Sequence, residues 1–121
     1  MATIKSYTDL SQSKKLAEIL PLESADMYWY LATKDNLKAR FNEGYNEYGD
    51  FELPCWSTAA LLRLMPKIGA HEPMLCKLYY ISEPTERYIC QYSLTDMTSE
   101  YDNPIDACYE MILKLHELNL L

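Results

Sequence analysis

The amino-acid sequence predicts an α+β domain, a mostly antiparallel sheet packed by two or three helices, and three observations carry that expectation. Residues 102–121 read as a capped amphipathic helix, residues 74–94 read as two strands joined through a proline-containing turn, and glycine occurs only 3 times in 121 residues. A helix with one apolar stripe needs a surface to cover. Two strands joined by a short turn pair antiparallel. A doubly wound parallel sheet would instead need regular βα alternation and a glycine-rich strand-to-helix turn, for which the chain has little material.

Each element has its own warrant. Thr8 or Asp9 can cap a helix running to Leu20, and Asp9 and Gln12 have the spacing of a capping box. Leu16, Ile19 and Leu20 form its apolar face, and Pro21 ends it. Residues 26–32 hold Met27, Tyr28, Trp29, Tyr30 and Leu31, a strand-forming composition. Residues 37–41 alternate apolar and basic side chains, as a second strand would, and residues 42–52, with Gly44, Gly49 and several acids, read as a loop. Ser57 can cap a helix through Met65, ended by Pro66. Its Ala59, Ala60, Leu61, Leu62, Leu64 and Met65 leave little polar face, so substantial burial is expected. Strands at 74–81 and 87–94 follow, linked by 82–86, where Pro84 suits a turn and cannot serve a ladder. Residues 95–102 are a polar, acidic connection.

In the last helix, 104–118, Asn103 is the N-cap and Pro104 takes the first position, whose N–H needs no intrahelical partner. Ile105, Cys108, Met111, Ile112, Leu115 and Leu118 recur at three and four residues and make one stripe. Asp106 near the start, with Lys114 and His116 near the end, complements the helix dipole.

A chain of this length is expected to form one domain, residues 1–121, and its 49% hydrophobic and 24% charged content is that of an ordinary globular protein. The formal net charge of −7 and the dispersed basic residues oppose generic nucleic-acid binding, where Lys and Arg hold phosphates. Acidity keeps a small protein soluble; mimicry of DNA charge against a basic partner is the sharper alternative. The longest apolar stretch, 59–65, is short and interrupted by Arg63, so no membrane partner is expected. No secretory signal is legible, and the expected compartment is a cytoplasm, bacterial or that of a host cell. The cysteines at 55, 76, 90 and 108 are too dispersed for a C-x-x-C pair, and three lie in apolar patterns. Reduced thiols with no metal and no cofactor are expected.

Two blocks carry a resemblance. Pro54-Cys55-Trp56-Ser57-Thr58-Ala59-Ala60-Leu61-Leu62 followed by Met65-Pro66, and Asp102-Asn103-Pro104-Ile105-Asp106-Ala107-Cys108 leading to Lys114-Leu115-His116, resemble small phage and prophage proteins of gut bacteria. Helices around a sheet with this final helix also resemble the phage ABA-sandwich domain. The resemblance implies a mobile-element origin. Its motifs are caps, prolines and a buried helix, so it carries no catalytic residue across.

Cys55 is the strongest enzymatic lead, because Cys-Trp-Ser before a helix is similar to the nucleophile region of papain-like proteases, where a helix N-terminus lowers the thiol pKa. Leu53 and Pro54 stand where that motif has glycines, its upstream glutamine is missing, and the chain is too short for the papain-type spacing to histidine. A smaller hydrolase would need His71 or His116 to reach Cys55. The carboxylates Glu43, Glu47, Asp50 and Glu52, and Asp96, Glu100, Asp102 and Asp106, fall in loops and caps where solvation accounts for them. The stretch 96–106 also lacks the ligand spacing of a calcium loop.

Tyrosine occurs 11 times. Tyr28, Tyr30, Tyr79, Tyr80, Tyr88 and Tyr92 fall in expected strands, and alternation puts Tyr88, Cys90, Tyr92 and Leu94 on one face. Packing under the helices accounts for such a set. A recognition face is the functional reading, since tyrosine joins apolar area to a polar tip and is enriched at interfaces. The leading expectation is therefore a non-enzymatic protein that binds a host or phage protein through Tyr79, Tyr80, Tyr88 and Tyr92 or an acidic face, with a second copy of the chain as a further candidate partner. The alternative is a small cysteine-dependent hydrolase using Cys55.

Overall fold

The structure, a computed structural model, describes residues 5–33, 36–41, 52–79, 85–93 and 96–121. Its elements are α1 (Leu10–Ile19), a 3-10 turn (Leu22–Ser24), β1 (Met27–Thr33), β2 (Asn36–Phe41), β3 (Glu52–Cys55), α2 (Thr58–Leu64), β4 (Met74–Tyr79), β5 (Glu86–Gln91) and α3 (Pro104–Glu117). The strands form two antiparallel sheets, one ordered β2-β1-β3 and the other β4-β5. This is the α+β class, with the strands divided between two sheets.

All three expected caps form. The Asp9 side chain accepts from Gln12 N at 2.8 Å while Gln12 Oε1 accepts from Asp9 N at 3.1 Å, a complete capping box. Ser57 Oγ accepts from Ala60 N at 3.2 Å, and Asn103 Oδ1 accepts from Asp106 N at 2.9 Å. At its far end α3 closes with Asn119 at φ 57°, where Asn119 N donates to His116 O at 3.0 Å and Leu120 N to Leu115 O at 2.9 Å. That pair of bonds is a Schellman turn, and asparagine tolerates the left-handed backbone it needs.

The strand reading differs from the structure at two places. Glu52–Cys55 is a strand, pairing Met27 with Cys55 and Tyr28 with Pro54. Its four residues include a proline, which hides it from pattern reading and is tolerated because β3 lies at a sheet edge. The rest of the expected loop, 42–51, lies outside the described residues, as do the last two residues, 80–81, of the expected strand and 82–84 of its connection. Within the connection expected at 95–102, residues 97–101 also run along β5: Tyr88 and Tyr101 exchange backbone bonds of 2.7 and 2.9 Å, and Thr98 N donates to Cys90 O at 2.9 Å.

The core lies where α3 meets β5 and α2. Trp56, Leu61, Ile105, Cys108, Ile112 and Leu115 are buried there with Leu16 of α1 and Cys90 of β5. Each such large apolar side chain contributes roughly 1.5–3 kcal/mol by leaving water. The α3 stripe is buried from Ile105 to Leu115, but its last member, Leu118, is 67% exposed because it is the C-cap, where the chain turns away.

Candidate functional site

The N-terminal segment before α1 pairs with the chain entering α2, Thr8 N donating to Trp56 O at 2.9 Å and Thr58 N to Ser6 O at 3.2 Å. Thr8 is thereby buried and becomes a hub. Its hydroxyl lies 2.8 Å from Ser13 Oγ and 3.6 Å from Cys55 Sγ, and accepts from Trp56 N at 3.1 Å. Its carbonyl accepts from Trp29 Nε1 at 3.2 Å and from Cys55 Sγ at 3.4 Å. Cys55 is fully buried in this network, and burial pushes its thiol above the ordinary value. An activated nucleophile needs access and a depressed pKa, the opposite on both counts. His71 and His116 are both on the surface, and neither is among the hydrogen-bond partners of Cys55.

Register places Met27, Trp29, Ala39, Leu53 and Cys55 on one face of the three-stranded sheet and Tyr28, Tyr30, Lys38 and Pro54 on the other. Helix α1 packs on β3, covering that edge of the first face. Toward β2 an open groove of about 520 Å³ remains, with Met27 and Ala39, Tyr7 of the N-terminal segment, Asp26, and the start of α2 along it. The Tyr7 ring is held edge-on by Trp29, centroids 5.7 Å apart at 69°. Asp26 accepts from Ser57 N at 2.9 Å and from the Ser57 hydroxyl. A serine donating to a carboxylate becomes a nucleophile only with a stronger base between them, and neither histidine nor lysine is among the lining residues. The pair is a doubled helix cap.

A second concavity of about 220 Å³ lies beside the Schellman turn, lined by Ile68, Tyr92, Met97, Met111, Leu115 and Leu120 with His71, Asp96 and Lys114. It is below the size of typical small-molecule sites, ~300–1,000 Å³. Two of its polar groups are engaged: Lys114 Nζ donates to Met97 O at 3.0 Å, and Tyr92 OH to Pro66 O at 2.7 Å. Among the described residues no cluster of His, Cys, Asp or Glu could hold a metal ion, and no helix is long and apolar enough to cross a membrane. All four cysteines are free, with Cys55, Cys90 and Cys108 buried and Cys76 half-buried.

The tyrosines singled out from sequence do not share one open face. Tyr88 and Tyr92 are buried against α3, 8% and 6% exposed, while Tyr79 at the end of β4 is 64% exposed. Tyr80 lies outside the described residues. Tyr28 and Tyr30 are half-buried neighbours on β1, ring centroids 6.0 Å apart. Tyr7, Asp26 and Ala39, which shape the groove, carry no pattern of their own, since strand pairing alone brings them together. No family model matches the chain, and no curated protein or solved structure matches it.

Proposed function

We propose that this chain acts by binding a segment of another protein, of host or phage origin, in the groove beside Tyr7, and not by turning over a substrate. The groove is the observation that carries the reading. It joins an aromatic side chain, an apolar floor of Met27 and Ala39 and a carboxylate, the mixture by which protein surfaces take up side chains. The deeply buried Cys55 and the lack of a histidine or lysine among the described residues that line the groove favour binding over hydrolysis. The resemblance of the two sequence blocks to phage proteins supports a mobile-element setting.

The test is affinity capture from the native host with the wild-type chain and with Ala39→Trp, which fills the floor. A protein retained by the wild type and lost from the variant, with both chains melting alike, is the expected result. Equal retention by both chains would refute the groove as the binding site.

A further inference from the structure

Taking the groove as the docking site, a reading on which this step rests, we infer that its occupant is a cationic side chain, an arginine or lysine within a basic segment of the partner, with Asp26 as counter-ion and Tyr7 as the ring beside it. Asp26 is half-buried and lines the groove. It receives two hydrogen bonds, the Ser57 amide on Oδ1 and the Ser57 hydroxyl on Oδ2. A carboxylate offers about four acceptor directions, so each oxygen keeps one for an outside donor. Among the described residues the ion pairs belong to Lys5 and Lys77, and none engages Asp26. Among the described residues, then, the Asp26 charge has no ion-pair partner.

The surroundings select the same ligand. Tyr7 is 37% exposed, its ring is steadied by the T-shaped contact with Trp29, and it lines the same groove as the Asp26 carboxylate. A cation gains from an aromatic face and from a partly desolvated carboxylate together. Met27 and Ala39 suit the aliphatic stem of a long basic side chain, which lies along apolar surface with its charge at the tip. A formal net charge of −7 on the whole chain draws basic segments in and turns acidic ones away.

The probe is acetylated, amidated tetraarginine, compared with the same peptide carrying citrulline, which keeps the shape and removes the charge. Titration calorimetry should show one tetraarginine per chain, binding that weakens with salt, and a citrulline peptide weaker by about tenfold or more. Asp26→Asn keeps an acceptor for the Ser57 amide and should lower tetraarginine affinity by a similar factor. Asp96→Asn removes the same charge elsewhere and should leave the affinity unchanged. Equal losses in the two variants mean diffuse attraction to an acidic protein and overturn the inference, as does the absence of saturable binding. Should Asp26→Asn fail to fold, Ala39→Trp carries the test, and unchanged tetraarginine affinity in it is equally fatal. If Ala39→Trp abolishes capture of a host protein while arginine and citrulline peptides bind alike, the groove stands and the cationic occupant falls.

Discussion

Gln12 Nε2 donates to Asp106 Oδ1 at 2.8 Å, so the residue that completes the cap of α1 also holds the first turn of α3. Lys5 strengthens the same clasp, its Nζ lying 2.9 Å from both Asp9 and Asp106. Burial pushes the Asp106 carboxyl up, but hydrogen bonds from Asn103, Lys5 and Gln12 and the charge of Lys5 outweigh it and hold the group below its ordinary value. Asp9 is lowered likewise, with burial opposed by the Gln12 amide and Lys5. Burial lowers Lys5, but Asp9 and Asp106 raise it on balance, so its share is lost only as pH rises through a folded value above 10.5.

The acid limb follows from the sign of these shifts. A carboxyl depressed in the folded state stabilises fully above its unfolded pKa, and that stabilisation disappears as pH falls through the folded value. Unfolding free energy should therefore decline below about pH 4. Asp106→Asn should cost about 1 kcal/mol at neutral pH, the upper end for a solvent-screened pair, and should flatten the acid limb. Urea titrations at pH 7 and through the acid range would check both, and an unchanged acid limb would show that Asp106 is not linked to folding.

Thiol chemistry separates the buried cysteines from the accessible one. Half-buried Cys76 should be alkylated first at neutral pH, whereas Cys55, Cys90 and Cys108 should react only on unfolding. Peptide mapping after timed iodoacetamide treatment reads the order. Fast labelling of Cys55 would show a thiolate and reopen the hydrolase alternative.

How much of this was legible follows from distance along the chain. The caps at Asp9, Ser57 and Asn103 could be read because each bonds an amide three residues on, a local event that composition records. The alternation of Tyr88, Cys90 and Tyr92 was equally visible, but period two says which residues share a face and not which face is covered. The groove was not legible at all. Tyr7, Asp26, Ala39 and Ser57 come from separate segments and meet only through the pairing of β1 with β2 and of the N-terminal segment with the start of α2.

Packing at the end of α3 gives two further expectations. Leu115, 2% exposed, lies in the core, and Leu115→Ala should cost about 2–5 kcal/mol in denaturant unfolding.

Asn119, at φ 57°, is exposed, and glycine suits this backbone. Asn119→Gly should leave stability unchanged or slightly raised, whereas Asn119→Val should cost about 1–2 kcal/mol through the Cβ clash. Thermal unfolding of the pair decides it, and equal melting would mean that the turn is not maintained in solution.

The strand tyrosines divide between surface and core, and substitution should divide them the same way. Tyr79→Ser should change stability by no more than about 0.5 kcal/mol, since the side chain is mostly exposed. Tyr92→Ser removes a buried ring and should cost about 3–5 kcal/mol. Tyr92→Phe keeps the ring but removes the donor to Pro66 O, for about 1–3 kcal/mol. Burial, with the neighbouring Cys90 adding to it, pushes the Tyr92 phenol up to about 12, so the neutral form stabilises the fold below pH 10.0 and that share is lost as pH rises through about 12. Tyr92→Phe should therefore weaken the alkaline dependence of unfolding as well as lower stability at neutral pH. Wild-type melting of Tyr92→Ser would remove Tyr92 from the core and return it to the candidates for a recognition face.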